Sequence, residues 1–390
     1  MKMELPRFTE RFGSVRINNV QRVLLLDSYN NQGGDQTGIY NIQRDDMRSI
    51  ENKMAIVIPV KDEKLKVIEG VISAIPEECL IILVSNSKRS SVDRHRMERD
   101  MIEQYTHYTR RKIWVIHQRD KGLGDALRNV KYTDLLDEKG LVANGKAEAM
   151  VVGMMIAKAA GKDYVGFVDA DNYIPGAVHE YVSIYAASFL FAKSPYSMVR
   201  ILWSSKPKIL EKSLYFSRWG RVSETTNKYL NKLISSFSGF ETEVVKTGNS
   251  GDHAMSMKLA ELLEFSPEFA IETEEIVNVL EQFGGVLEPN SIDAMNNGIE
   301  IFQVETRNPH LHDEKGEEHI GGMLNQSLNV ISESPLCPAS LKEEIQQQMS
   351  GNGEGEKSAR KIRSFCSVDV ETLLKDLQNN GALLVYGDGN

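Results

Sequence analysis

YVGFVDADNY, residues 164–173, decides how the rest of the chain is read. A largely apolar run leads straight into two aspartates, Asp169 and Asp171, separated by one small residue. A buried strand that ends in paired acids points to a ligand beyond its carboxyl end. Residues i and i+2 of a strand share a face, so alternation aims the two carboxylates the same way. Mg²⁺ prefers oxygen ligands and keeps part of its shell for phosphate and water, and such a pair could hold it.

Working outward, three earlier strands repeat the pattern. MAIVIPV (54–60), CLIILVSN (79–86) and KIWVIHQ (112–118) are near-continuous apolar runs, and helical patterns follow them at 90–108, from 124 and over 145–160. Apolar strands alternating with helices predict an α/β fold with a mostly parallel sheet covered on both faces. Ligands in such sheets bind beyond the carboxyl ends of the strands. Those ends read Pro59-Val60-Lys61-Asp62-Glu63, Ser85-Asn86-Ser87, Gln118-Arg119-Asp120-Lys121-Gly122 and Asp169-Ala170-Asp171-Asn172. Solvated loops are polar anyway, but four polar ends on one rim predict a binding edge.

Beyond residue 175 the spacing predicts a helix over 177–192, a strand over 197–203, helix over 257–283, and a strand from 299 running into NPHLHDEKGEEH. The tail from about 325 reads as helical, interrupted by GNGEGEK (351–357). Near the start, VLLLDS (23–28) reads as a short strand and NNQGGDQTG (30–38) as a loop. The expected division is a nucleotide-binding core over 1–260, then a segment over 261–390 that completes the acceptor and metal sites and ends in a mainly helical region.

The 390 residues are 41% hydrophobic and 26% charged, with a net charge of −9. That balance excludes disorder and argues against broad nucleic-acid affinity, so an anionic ligand needs a local basic cluster. Cys79, Cys337 and Cys366 form no C-x-x-C pair, which predicts neither a disulfide framework nor a zinc knot. With no signal-peptide core and no apolar stretch near the ~20 residues of a membrane span, a cytoplasmic protein without membrane partners is expected.

Two phosphate-loop imitations fail. Gly351 to Ser358 has Glu356 where the motif demands glycine, and Gly122-Leu123-Gly124 lacks the third glycine of the dinucleotide fingerprint. The basic run 87–100 has Asp93, Glu98 and Asp100 interleaved, as a solvated helix face does. Arg218-Trp219-Gly220-Arg221-Val222-Ser223-Glu224 differs from these. Its arginines suit phosphate or carboxylate, and it leads into a helix with Ser223 as the expected cap. His310 and His312 offer imidazoles to a metal, and the sequence does not choose between them.

At this point the residues match a family. KDEKLKVIEGVISAIP, VGFVDADNYIPGAVHEY, GNSGDHAMS and VETRNPHLHDEKG, spread over roughly residues 5–325, resemble mannosyl-3-phosphoglycerate synthases, which are retaining glycosyltransferases of the GT-A (Rossmann-like) type. The resemblance implies transfer of mannose from GDP-mannose to the hydroxyl of 3-phosphoglycerate with retention, for mannosylglycerate biosynthesis. It also implies a divalent metal (Mg²⁺ first, with Mn²⁺, Co²⁺ or Zn²⁺ as alternatives) and a homodimer.

Carried onto this chain, the resemblance places the donor on Pro59, Val60, Lys61, Glu63, Ser85, Asn86, Gln118, Lys121, Asp169 and Ala170. The acceptor falls to Gly220, Arg221, Ser223, Asn249 and Arg200, and the metal to Asp171 with His310 or His312. Asp169, Lys121 and Arg221 are the expected catalytic groups. No carboxylate announces itself as a nucleophile, which favours front-face attack. The rivals are a glucosyl donor with the same acceptor, a sugar-phosphate phosphatase using Asp169 as nucleophile, and a nucleotide-sugar-binding regulator without turnover.

Overall fold

The computed structural model describes residues 1–4, 6, 8–20, 23–24, 39–90, 92–210, 213–217, 220–312, 317–350 and 361–387. Its centre is a ten-stranded sheet. In chain order its strands are β1 (Phe8–Phe12), β2 (Val15–Val20), β3 (Met54–Val60), β4 (Leu80–Ser85), β5 (Ile113–His117), β6 (Tyr164–Phe167), β7 (Tyr196–Leu202), β8 (His253–Ser256), β9 (Ile299–Glu305) and β10 (Leu383–Tyr386). They lie in the order β10-β5-β4-β3-β6-β8-β7-β9-β2-β1. Five of the nine pairings are parallel, including the run β5-β4-β3-β6, and four are antiparallel. The expected α/β class and mostly parallel sheet are therefore present.

The strands are apolar on both sides because both faces are covered. Along β3, Ile56 and Ile58 face one core and Ala55 and Val57 the other. Helices α1 (Leu65–Ala74), α2 (Arg94–Thr109) and α5 (Pro175–Phe191) bury Ile68, Val71, Ile102, Val178 and Tyr181 in the first core. Helices α3 (Lys121–Asn129) and α4 (Lys146–Ala159) bury Leu123, Leu127, Met150 and Met154 in the second. Each such side chain contributes on the order of 1.5–3 kcal/mol of burial, so the strand directions are firmly held and the rim loops rest on a rigid base.

The later helices are α6 (Arg221–Ser238), α7 (Ile271–Phe283), α8 (Glu317–Glu333), α9 (Ala339–Ser350) and α10 (Val370–Asn379). Four expectations are corrected. The helix expected from 124 begins at Lys121, because Asp120 caps it by accepting the Gly122 N–H at 2.8 Å. The helix expected over 257–283 is two, Met257–Ala260 and α7, with Pro267 lying between them. The helical tail ends as a strand, since β10 pairs antiparallel with β5. Gly220, not Ser223, is the cap of α6. VLLLDS is described only at Val23–Leu24, a two-residue strand. Residues 25–38 and 351–360 lie outside the described residues. Among the described residues, no helix is long and apolar enough to cross a membrane.

Candidate active site

The rim loops are tied to one another by their own polar groups. Asp62 adopts a left-handed backbone, φ +60°. Its N–H donates to Ser87 Oγ at 2.7 Å, and its carboxylate accepts the Lys88 N–H at 3.0 Å. Arg94 donates to the carbonyls of Asp62 and Glu63 at 3.1 and 2.7 Å. Ser85 and Ser87 both donate to the buried Glu98 carboxylate, at 2.6 and 2.5 Å. The Gln118 amide donates to the carbonyls of Ala143 and Gly145 at 2.5 and 3.0 Å, setting the entry to α4. Ser85 and Gln118 are thus internal braces, and Val60 and Ala170 are buried. Pro59, Asn86 and Glu63 are half-buried, whereas Lys61 and Lys121 are exposed on the rim.

Strand β6 stops at Phe167, and a turn follows through Ala170 and Asp171. The period-two rule therefore does not extend across the two acids. The structure gathers Asp169 with Asp252 and His310: one ligand atom from each lies within 4.8 Å of the others. Asp171 is buried in the turn and stands outside that trio. So does His312, whose ring centroid is 5.1 Å from that of His310.

Each member of the trio is held. The Asp169 N–H donates to Asp252 Oδ1 at 3.1 Å, and Lys146 Nζ meets Asp169 Oδ1 at 2.6 Å. Asp252 Oδ2 accepts the Trp203 indole N–H at 3.2 Å and lies 3.4 Å from His310 Nδ1. The Trp203 ring stacks on His310 at 4.7 Å between centroids. The loop bearing His310 is clamped from α5, where the buried Glu180 carboxylate accepts the N–H groups of Arg307 and Asn308 at 2.7 and 2.9 Å. It also accepts the Asn308 side-chain amide at 2.7 Å. From the other side, the Tyr173 N–H donates to the Leu311 carbonyl at 2.9 Å, joining this loop to the Asp171 turn.

Two carboxylates and an imidazole form a donor set that suits a divalent cation with open positions. Burial first, and then the neighbouring charge of Asp169, push the Asp252 carboxyl up to about 8. Carboxylates crowded in this way favour a cation between them. The residues present therefore fit a divalent metal, with Asp169 and Asp252 beside His310 where Asp171 was expected.

Arg200 on β7 is fully buried. Its guanidinium pairs with Glu275 at 3.0 Å and donates to the carbonyls of Thr247 and Glu272 at 3.0 and 2.8 Å. His253 Nε2 sits 3.0 Å from the other Glu275 oxygen. Arg200, expected at the acceptor, is enclosed in this buried network. Asn249 donates to Thr273 Oγ1 and Ser327 Oγ at 3.2 and 2.6 Å. Arg221 is the first residue of α6, with Gly220 as the helix cap and Ser223 in the first turn, and a helix N-terminus of this kind suits an anion.

Sequence reasoning missed Asp252, Lys146, Glu272 and Trp203. Asp252 lay inside a stretch already noticed, GNSGDHAMS, but a lone acid in a small polar loop has no strand signal to single it out. Lys146 opens a helix and looks like a solvated helix end.

A family model described as mannosyl-3-phosphoglycerate synthase matches residues 5–377. The chain is 47% identical over 391 residues to the mannosyl-3-phosphoglycerate synthase of Pyrococcus furiosus, covering 99% of each chain. It is 37% identical over 357 residues to that of Aeropyrum pernix, covering 92% of each. Among solved structures it is similar to the glucosyl-3-phosphoglycerate synthase of Mycobacterium tuberculosis in complex with Mn²⁺, UDP and phosphoglyceric acid. That likeness has 18% identity and a TM-score of 0.47, over 75% of this chain and 84% of that chain.

Proposed function

The chain belongs to the mannosyl-3-phosphoglycerate synthase family, and we propose that it transfers mannose from GDP-mannose to the hydroxyl of 3-phosphoglycerate with retention at the anomeric carbon. The observation that carries this reading to a site is the Asp169–Asp252–His310 trio on the rim of the parallel strands. These three would hold a divalent cation, Mg²⁺ or Mn²⁺. When bound, that cation neutralises charge on the donor diphosphate.

The other roles fall to the chain's own groups. Asp169, pinned by Lys146, orients the donor sugar. Lys121, exposed at the head of α3, meets donor phosphate or a sugar hydroxyl. The N-terminus of α6, with Gly220, Arg221 and Ser223, takes the acceptor's anionic groups. Preorganised donors and charges of this kind lower the barrier by meeting charge as it develops on the leaving group.

Asp169 and Asp252 both carry fixed protein partners, which supports front-face attack over a glycosyl-enzyme. The acceptor oxygen bonds to the anomeric carbon as the bond to the diphosphate oxygen breaks, and the departing phosphate takes the hydroxyl proton. Mass-spectrometric capture of a glycosylated carboxylate would overturn that route.

The test of the function is direct. The protein is incubated with Mg²⁺, 3-phosphoglycerate and either GDP-mannose or UDP-glucose, and nucleoside diphosphate is measured. Acceptor-dependent GDP release is expected. Release from UDP-glucose alone would move the assignment to the glucosyl reaction, and no release from either donor would defeat the transferase reading.

A further inference from the structure

Lys206 belongs to none of the sequence motifs, yet its ammonium bears on a ring that touches His310. Its Nζ lies over the Trp203 indole, 3.5 Å from the ring centroid. The same indole stacks on His310, with centroids 4.7 Å apart and planes at 30°. Its N–H donates to Asp252 Oδ2 at 3.2 Å. Trp203 and His310 are both buried, so the half-buried lysine meets a ring already withdrawn from water. A cation over an indole face is attracted by the ring quadrupole, more strongly where water is excluded.

The chain ties the same segment to the His310 loop by its backbone. The His310 N–H donates to the Ser205 carbonyl at 3.0 Å, one residue before Lys206. The Ser204 N–H donates to Thr306 Oγ1 at 3.3 Å, and the Thr306 N–H to the Leu202 carbonyl at 3.0 Å. On its other side, Lys206 opens a hairpin, Lys206–Leu210 paired antiparallel with Ser213–Ser217. Residues 203–206 thus hold the His310 backbone through Ser205 and meet its ring through Trp203, with Lys206 set against the indole.

We infer that Lys206 is a positioning residue: its ammonium holds the Trp203 indole against His310 and so sets the plane of the imidazole that meets the cation. This inference rests on reading His310 as a cation ligand. It predicts the opposite sign to simple charge counting. Removing a positive group near a cation site lowers repulsion, so charge alone predicts tighter metal binding. Loss of orientation predicts weaker binding, because groups that hold metal ligands in place are typically worth about 10–100-fold in metal affinity.

Four proteins separate the accounts: the unaltered chain, Lys206→Met, Lys206→Arg and His310→Ala. Lys206→Met keeps the stem and loses the charge, whereas Lys206→Arg keeps a cation that also stacks on an indole. Mn²⁺ binding is measured by titration calorimetry with GDP present and without sugar donor, alongside thermal melting and the KM for 3-phosphoglycerate. The expected result is Mn²⁺ binding weakened about tenfold or more in Lys206→Met and restored in Lys206→Arg, with melting little changed. Unchanged or tighter binding by Lys206→Met overturns the inference, and so does equal weakening in Lys206→Met and Lys206→Arg. A raised acceptor KM with native Mn²⁺ affinity overturns it too, and makes Lys206 an acceptor contact. Should Lys206→Met fail to fold, Lys206→Gln takes its place under the same criteria. Native Mn²⁺ affinity in His310→Ala overturns the reading of His310, and this inference with it.

Discussion

Asp252 Oδ2 and His310 Nδ1 lie 3.4 Å apart, although one residue follows the loop after α6 and the other follows β9. Strand pairing brings them together. β8, which begins at His253, runs antiparallel beside β6, and the Asp169 N–H donates to Asp252 across that junction. The central acid of the site is thus delivered by a strand that reverses the sheet's direction. Replacing Asp252 with alanine should abolish cation-dependent turnover, a loss exceeding the roughly 10–100-fold typical of residues that only support metal ligands. Asp171→Asn made in parallel should cost less, because Asp171 stands outside the trio. Initial rates across a Mn²⁺ titration check both, and the reverse ranking would return the metal to Asp171.

The two histidines should separate in the same assay. His310 is buried, stacked on Trp203 and part of the trio, whereas His312 is half-buried beside it. His310→Ala should lose cation affinity as severely as Asp252→Ala, and His312→Ala should keep most of its turnover. Equal losses would mean that both imidazoles serve the cation.

Glu180 should matter without touching any ligand. Its carboxylate takes three N–H groups of the loop that leads to His310. Hydrogen bonds to a charged acceptor contribute about 1.5–3 kcal/mol each in favourable cases. Glu180→Ala should therefore speed hydrogen exchange of the Arg307 and Asn308 amides and weaken cation binding in step. Unchanged exchange at those two amides would remove Glu180 from this role.

The contrast between these residues shows what could be read in advance. The four parallel strands, their covering helices and the rim loops are written in apolar runs with polar ends, and family-like stretches marked both GNSGDHAMS and the His310 loop. The pairing of β8 between β6 and β7 is not written locally, because HAMS is four residues with no period of its own. Without that pairing Asp252 has no address, and only Asp169 and Asp171 are marked by the strand before them. Lys146 and Gln118 illustrate the same limit. Their partners are backbone carbonyls and acids that only the assembled sheet brings near. The terminal strand β10 was missed because LLVY is short and follows a long helical stretch.

Stability should fall on mild acidification through His117. Its Nδ1 accepts the Arg119 N–H at 3.1 Å, and Nε2 lies 2.9 Å from the Ser87 carbonyl, so the neutral ring fits both partners. Burial, foremost, lowers its pKa from 6.5 to about 4, with Arg89 and His95 adding to the fall and the Ser87 carbonyl and Asp120 opposing it. The unfolded chain binds the proton first. The stability contributed by the neutral ring is therefore whole above about pH 6.5 and is lost as pH falls toward about 4. Melting temperatures should drop across that window, and His117→Asn should flatten the slope there. A slope unaltered by the substitution would place the acid sensitivity elsewhere.

Arg200 and Arg221 were both expected at the acceptor, and they should fail in different ways. Arg200 is fully buried, with each guanidinium nitrogen engaged by Glu275, Thr247 or Glu272. Removing it strands the Glu275 carboxylate in a site that water does not reach, a change that typically costs about 3–5 kcal/mol. Arg200→Met should therefore lower the melting temperature by many degrees, with the surviving folded protein keeping its KM for 3-phosphoglycerate. Arg221 is the first residue of α6, whose cap Gly220 supplies no side-chain hydrogen bond. Arg221→Ala should leave melting nearly unchanged and raise the KM for 3-phosphoglycerate, with little effect on the donor. Melting curves and acceptor saturation curves on the same two preparations decide the matter. A raised acceptor KM in a fully stable Arg200→Met protein would put Arg200 back in contact with the acceptor, and a donor-only defect in Arg221→Ala would move the acceptor away from α6.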